Sequence, residues 1–345
     1  MALPLRQTRL AGIGPAGQDG SGAVAKGLAV MRPDRVTLVA FVGFVLIAGA
    51  VSVAIRLGSL ELPPFWAATL RYASAVAIFT ALAMAMRIPF PRAANLRGAL
   101  LFSLVFVISN AFYYVGVSGS SASAGALAFA LTPLVALALA ATIGLERFTL
   151  RGVAGALVAA AGAAVVVGDQ LGAAVPLPAL LALGGAMFFG AVTTVVIKRL
   201  PPGHPIAANA VGGAFVLPIL LALSFLTHES WALPSRPETW IALVFLVLLG
   251  TVLLFPLALF IIGRWTASGY SYTGLFKPVA AVALAAVILG EPIRPTFVIG
   301  GVLLLVGVWV GAFSAKPVPS AGSTVIGAGQ RLVSVPVVAD DGPTG

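Results

Sequence analysis

The chain has 345 residues, of which 60% are hydrophobic and only 9% are charged. A soluble globular domain carries about 25% charged residues and has too small an interior to hide this much apolar surface. The composition therefore excludes an ordinary soluble enzyme or binding domain and predicts a polytopic membrane protein. Because lipid offers no partners to backbone N–H and C=O groups, the spans are expected to be helices and the fold class all-α.

The net charge of +10 and the absence of cysteine exclude further classes of function. The basic residues lie mainly in hydrophilic segments between apolar ones, so they indicate membrane topology and not a nucleic-acid partner. The two histidines, His204 and His228, also lie in hydrophilic segments. Without thiolates or clustered imidazoles we expect no metal site, and no sequence motif indicates a cofactor or a catalytic group.

Ten apolar windows are long enough to cross a bilayer, since about 20 residues at about 1.5 Å each span a hydrocarbon core of about 30 Å. Charged residues and proline pairs are concentrated between these windows. In chain order the windows are Val36–Ile55, Phe65–Met86, Gly98–Val117, Ser120–Ile143, Leu150–Gly168, Leu177–Ile197, Ile206–Thr227, Thr239–Ile262, Ala267–Leu289 and Pro295–Phe313.

Residues 1–34 and 315–345 flank the windows, and their composition predicts flexible cytoplasmic segments. The basic residues support this orientation. With the N-terminus inside, fifteen of the 20 Lys and Arg residues fall on the inside, counting Arg151 at the inner end of the fifth window, three fall outside and two fall in the interiors of windows. The positive-inside rule therefore predicts a multi-pass protein of the cell inner membrane with both termini in the cytoplasm.

The second half of the chain repeats the first. Pro133 and Glu146 match Pro278 and Glu291, each pair 145 residues apart. The same offset relates Ser123 to Ser268, Gly155 to Gly300 and Gly162 to Gly307. Each half holds five windows, an odd number, so the second half enters the membrane from the opposite side. This pattern predicts two inverted five-helix repeats, over residues 35–168 and 169–314, an architecture that alternating-access transporters use.

One motif occurs in both halves: a proline, an apolar stretch, and a short sequence of Gly, Leu and Glu. Its two copies are Pro133 with Gly144-Leu145-Glu146, and Pro278 with Leu289-Gly290-Glu291-Pro292. In these features residues 35–314 resemble the EamA family of the drug/metabolite transporter superfamily. The resemblance implies ten helices in two halves. It also implies transport, because members of the family export amino acids and other metabolites or move nucleotide sugars and related solutes.

Two cations fall inside predicted spans. Lys277 lies near the middle of the ninth window, where the first half has Thr132. A charge at this depth costs at least about 2.5–3.5 kcal/mol, so we expect Lys277 to face a wet cavity or a partner. All the acidic residues lie outside the interiors of the windows, so a substrate anion is the expected partner. Arg71, in the second window, is either a second anion site or a structural arginine.

Four further polar residues are candidates for hydrogen bonds to a substrate. Thr273 and Tyr270 lie one and two helical turns before Lys277, and Asn110 and Tyr114 share a face of the third window. Asn110 has the alternative of a hydrogen bond between helices. The predicted substrate-binding set is therefore Lys277, Arg71, Asn110, Tyr114, Thr273 and Tyr270.

Glu146 and Glu291 precede the last window of each half, where a carboxylate stabilises a helix N-terminus. We predict that they cap helices, with gating as the alternative. Gly307 and Gly311 form a face of small residues, which indicates close helix packing either within the bundle or in a homodimer.

Together these features predict a secondary transporter and not an enzyme. The expected substrate is a small polar metabolite such as an amino acid or another carboxylate, and the expected direction is export. A neutral Lys277 would allow coupling to a proton, and a counter-solute is the other coupling partner.

Two alternatives to this function stay open. One is a transporter of phosphorylated or nucleotide-linked solutes. The other is a membrane enzyme acting on lipid-linked phosphate, which would need acidic, Arg or His residues clustered at one interface.

Overall fold

A computed structural model describes residues 34–143, 150–172, 175–200, 203–264 and 273–312. In these ranges the regular structure is entirely helical. The elements are α1 (Arg35–Gly58), α2 (Pro64–Ala85), α3 (Ala93–Ser118), α4 (Ala122–Ala130), α5 (Thr132–Thr142), α6 (Leu150–Gly172), α7 (Leu177–Arg199), α8 (Pro205–Leu226), α9 (Pro237–Val247), a π-helical turn (Leu248–Leu253), α10 (Leu254–Arg264), α11 (Thr273–Leu289) and α12 (Pro295–Ala312).

In the described residues, each of the ten predicted windows contains one or more of these helices. Six described segments are long and apolar enough to cross a membrane, and four shorter apolar segments occupy the remaining windows. The fourth span consists of α4 and α5, and the eighth consists of α9, the π turn and α10. Several spans begin with a proline, including Pro64, Pro205, Pro237 and Pro295. Proline suits the first helical position because the N–H that it lacks has no partner there. The predicted all-α polytopic fold is confirmed.

Helix packing follows the duplication of the chain. The fifth span, α6, packs against the tenth, α12, and the second, α2, packs against the seventh, α8. The contact of α3 with α7 is matched by the contact of the eighth span with α1. Exchanging the two halves therefore maps each of these contacts onto itself or onto another of them, as two inverted repeats require.

Glycines of the two halves bring α6 and α12 into backbone contact. A Cβ atom added at Gly162 would overlap the backbone of Leu304, and one added at Gly307 would overlap the backbone of Ala159. Close approach of this kind is the usual role of small residues between transmembrane helices. These two glycines therefore serve packing inside the bundle, which is one of the two roles expected for the glycine face.

Among the described residues, two spans are interrupted where the sequence predicts continuous helices. The fourth span breaks at Leu131, directly before Thr132 and Pro133, because proline has no N–H to continue the helical hydrogen bonds. The eighth span widens into the π turn, and Pro256 follows the turn closely. Interruptions of transmembrane helices are tolerated where other groups bind the freed carbonyls or where the backbone lines a cavity.

Candidate functional site

Two adjoining cavities lie between the halves. The first, of about 400 Å³, is named here the Lys277 cavity, and the second, of about 510 Å³, the Tyr72 cavity. Both are lined by Arg71, Phe106 and Gly250. The two interrupted spans place polar backbone and side-chain groups on the cavity walls. The volumes of both cavities lie within the range of small-molecule sites, about 300–1,000 Å³.

Lys277 projects from α11 into the cavity that bears its name. Its side chain is half-buried, and Nζ lies 5.7 Å from the centroid of the Phe44 ring. Among the residues that the structure describes, no acidic side chain forms an ion pair with it. Pro278, the next residue, lacks the N–H that would bond to the carbonyl of Gly274, and Gly274 also lines the cavity. The wall around Lys277 thus offers a cation and a backbone acceptor.

Arg71 is held by the π turn. Its Nε donates to Thr251 Oγ1 at 3.0 Å and its Nη2 donates to the Gly250 carbonyl at 3.2 Å. Its Nη1 donates to the hydroxyl of Tyr114 at 3.5 Å, and the guanidinium carbon lies 5.3 Å from the centroid of the Tyr72 ring. Only 5% of Arg71 is exposed. The guanidinium therefore satisfies a carbonyl of the widened turn, and these contacts agree with the structural alternative for this residue.

The other predicted binding residues are distributed unevenly. Asn110 lines the Lys277 cavity, and its amide nitrogen donates to the Phe106 carbonyl of its own helix at 2.9 Å. Tyr114 and Thr273 are buried, with 1% and 3% of their surfaces exposed, and neither lines the two cavities. Tyr270 lies outside the described residues. The structure therefore brings Lys277, Arg71 and Asn110 together.

Several cavity groups were not among the predicted site residues. Ser52 Oγ and the Tyr113 hydroxyl form a hydrogen bond of 2.6 Å on the wall of the Lys277 cavity. The hydroxyls of Tyr72 and Thr132 are buried and have no hydrogen-bond partner among the described residues. Thr132 is the counterpart of Lys277 at the 145-residue offset, which is a signal in the sequence that points to it. Nothing in the sequence distinguishes Ser52 from other serines in the spans.

The Tyr72 cavity differs in chemistry from the Lys277 cavity. Its walls include the rings of Phe79, Phe102 and Phe106, and the Phe102 and Phe106 rings stack at 5.6 Å. Tyr72 meets Phe106 edge-on at 6.3 Å. Polar atoms enter from Ser103 and Asn209 at the edge of this aromatic wall, and the Asn209 amide nitrogen donates to the Pro205 carbonyl. The two cavities share Arg71 and Phe106, with Lys277 on the wall of one and the Phe79 and Phe102 rings on the wall of the other.

Glu291 caps a helix, although not the one that follows it. Its two carboxylate oxygens accept hydrogen bonds from the backbone N–H groups of Ala122 at 2.8 Å and Ser123 at 3.2 Å. Those groups open α4, in the opposite half of the molecule, whereas Glu291 directly precedes α12. Glu146, the predicted counterpart, lies outside the described residues.

Comparisons with known proteins agree with this architecture. No curated protein sequence gives a significant match. Among solved structures, 28 chains match. One, described only as a protein crystal structure, covers 81% of this chain and 98% of its own length at 21% identity and a TM-score of 0.56, so it shows a shared fold. The sequence profile of the EamA-like transporter family matches residues 35–168 and 177–312, nearly all of both halves. The chain is therefore a multi-pass membrane protein that belongs to the EamA-like transporter family.

Proposed function

We propose that the protein is a secondary transporter that exports small carboxylate-bearing metabolites, such as amino acids, by alternating access between its two halves. One observation carries this proposal. Lys277 lines a cavity between the halves, and no described acidic side chain forms an ion pair with it. An intramembrane cation costs at least about 2.5–3.5 kcal/mol and marks a functional site unless it has a structural partner. A substrate carboxylate provides the missing counter-charge.

The two cavities favour a particular kind of carboxylate. With the anionic group at Lys277, the rest of the molecule extends toward Phe106 and Phe102 in the Tyr72 cavity. Burial of the apolar surface of a substrate against apolar walls with few polar groups stabilises binding by about 25 cal/mol per Å². The proposed substrates are therefore small carboxylates with an apolar portion.

The alternative substrates, phosphorylated or nucleotide-linked solutes, carry at least one more negative charge. They would need a second free cation in the site. The candidate is Arg71, but its guanidinium is already bonded through Nε, Nη1 and Nη2 to Thr251, Tyr114 and Gly250. Among the described residues that line the two cavities, Lys277 is a cation without an ion pair and Arg71 is hydrogen-bonded to the protein, so the site favours a single carboxylate.

Orientation and coupling complete the proposal. The distribution of basic residues supports a cytoplasmic location of both termini, in the cell inner membrane. Export then requires substrate to enter from the side where α1 begins. The Tyr72 cavity extends toward that side, since Gly203 and Pro205 at the start of α8 contribute to its wall. A proton on Lys277, or a counter-solute in the same cavity, is the proposed coupling partner.

The test is counterflow in proteoliposomes with a panel of labelled amino acids, other carboxylates and sugar phosphates. Lys277→Leu keeps an apolar side chain at this position and removes the charge, and Lys277→Arg keeps the charge. Arg97→Leu removes an exposed cation that lines neither cavity and is the matched control.

We expect Lys277→Leu to lower carboxylate counterflow about 10- to 100-fold, since hydrogen bonds to a charged group are worth about 1.5–3 kcal/mol. Arg97→Leu should match the wild type. Wild-type counterflow by Lys277→Leu, or a preference for sugar phosphates, would contradict the proposal.

A further inference from the structure

Three carboxylates at one end of the bundle bind backbone N–H groups of the opposite half. Glu229 accepts from the N–H groups of Phe65 and Trp66 at 3.1 and 2.7 Å. Glu291 accepts from those of Ala122 and Ser123, as described above. Glu61 accepts from the N–H and the hydroxyl of Ser235, both at 2.6 Å, and from the N–H of Arg236 at 3.4 Å. The end of the bundle that holds Glu61, Glu229 and Glu291 is named here the carboxylate face.

Each of these three carboxylates binds N–H groups at the start of a helix to which the glutamate itself does not belong. Local caps also occur: Asp34 accepts from the Thr37 N–H at the start of α1, and at the start of α4 Ser121 Oγ accepts from the Ala124 N–H beside the bonds to Glu291. The residues at the cap positions of α2 and α9, Pro63 and Arg236, make no side-chain cap. The free N–H groups and the positive end of the helix dipole at these sites are instead satisfied from the other half. At the starts of α2 and α9, hydrogen bonds that a Ser or Asp side chain of the same helix would usually accept therefore connect the two halves.

Aromatic contacts reinforce the connection at Glu229. The Trp66 ring of α2 stacks on Trp231 with centroids 5.8 Å apart, and its Nε1 donates to the Ala232 carbonyl at 2.7 Å. Ser224 Oγ donates to Glu229 Oε2 at 2.8 Å, so the carboxylate is fixed by three donors. This cluster closes the space between α2 and the loop that precedes α9.

The opposite end of the bundle is connected more weakly in the part that the structure describes. Its ion pair between the halves joins Asp34 to Arg264 at 3.8 Å, with both side chains about half exposed. Exposed pairs of this kind contribute only about 0–1 kcal/mol. Among the described residues, the contacts between the halves are thus stronger at the carboxylate face, and the Tyr72 cavity extends toward the other end.

We propose that Glu61, Glu229 and Glu291 form a latch that holds the carboxylate face closed, and that this face opens only when the cross-half hydrogen bonds break. The consequence for transport rests on the proposed function, because alternating access requires the site to open to both sides in turn. The latch itself is a property of the conformational equilibrium and exists without substrate. Breaking it shifts the population toward a state with the carboxylate face open.

The absence of cysteine from the chain makes a direct test possible. A single cysteine at Ala126, which is buried on the wall of the Lys277 cavity, reports access from either side to a membrane-impermeant maleimide. A second reporter at Leu60, 57% exposed on the carboxylate face, identifies which vesicle orientation presents that face. The latch is broken with the triple change Glu61→Gln, Glu229→Gln and Glu291→Gln. Each glutamine keeps the shape but removes the charge and one acceptor oxygen.

We expect labelling of the Ala126 reporter from the carboxylate face to be at least about tenfold faster in the triple variant, and intermediate in the single variants. Glu238→Gln is the control, because Glu238 is exposed on the same face and lies in the first turn of its own helix, α9. Equal labelling rates in the wild type, the control and the folded variants would overturn the latch. If the triple variant does not fold, the single variants decide. Because labelling needs no substrate, a failed counterflow assay with faster labelling overturns the transport proposal and leaves the latch intact.

Discussion

The fourth and ninth spans share a proline and differ at the residue before it. Thr132 precedes Pro133 in the first half, Lys277 precedes Pro278 in the second, and all four residues line the Lys277 cavity. The fourth span breaks at Leu131, whereas α11 continues through its proline. The duplication thus supplies a common interruption of the helical hydrogen bonds at the centre of the bundle. The difference between the halves supplies a cation on one wall and, on the other, a buried hydroxyl without a hydrogen-bond partner among the described residues.

The second and seventh spans differ in the same way. Each begins with a proline, and Arg71 and Gly212 lie at the same distance from Pro64 and Pro205. A Cβ atom at Gly212 would overlap the side chain of Ser103, so this position of α8 has no room for a side chain. The cations of the site therefore come from one position in each half. Within the described residues Arg71 has hydrogen-bond partners, whereas Lys277 has the Phe44 ring but no ion pair.

The largest effect on stability is expected from removing the arginine that distinguishes α2 from α8. Arg71→Met keeps much of the apolar volume but leaves the Gly250 carbonyl and Thr251 without their donor. Leaving buried polar groups unpaired costs about 1–3 kcal/mol each, so a lower melting temperature is expected, with loss of transport following from it. Thermal unfolding in detergent measures the change. Lys277→Leu, which removes a charge without a described ion pair, should not lower the melting temperature. Equal destabilisation by both variants would contradict the separation of a structural Arg71 from a functional Lys277.

A smaller effect is expected from exchanging the two residues that differ between the fourth and ninth spans. In Lys277→Thr the cavity has a hydroxyl on both walls, and counterflow should fall about 10- to 100-fold. Adding Thr132→Lys to that variant returns a cation to the same cavity from the other wall. We expect counterflow several-fold above that of Lys277→Thr alone, because the carboxylate regains a counter-charge within one small cavity. No recovery in a folded double variant would show that the position of the cation within the cavity, and not its presence, determines binding.

Much of the fold could be predicted from the sequence, because the cost of exposing backbone to lipid acts within each span. Window length located the spans, and the 145-residue offset indicated the two halves. The break before Pro133 and the π turn before Pro256 were not predicted. They depend on which carbonyls find other donors, and the donor to Gly250 is Arg71, which is 179 residues away in the chain.

A residue of the candidate site could be predicted where its type alone determines the energetic cost of placing it in a membrane. An unpaired lysine at mid-membrane is costly wherever it lies, so Lys277 stood out from the sequence alone. Tyr114 shares a helix face with Asn110, yet it is buried against Arg71, and only the packing of three helices decides this. The carboxylate latch was beyond prediction for the same reason. Glu229 and Glu291 bind N–H groups that are 163 and 169 residues away, in the half opposite their own.

The smallest effect concerns Glu61, the latch residue from the first half. Hydrogen bonds from the Ser235 side chain, Thr239 and the Ser235 backbone lower the pKa of the Glu61 carboxyl from 4.5 to about 2. A lowered pKa in the folded protein means that the contribution of Glu61 to stability is fully present above pH 4.5 and is lost as the pH falls from there through about 2. The difference in melting temperature between the wild type and Glu61→Gln should therefore stay constant from pH 8 to pH 5. It should shrink only under more acidic conditions. Thermal unfolding of both proteins across this range, with Glu238→Gln as the control, measures it. A difference that already shrinks between pH 8 and pH 5 would show that Glu61 is not held by these donors, and the latch would then rest on the two carboxylates of the second half.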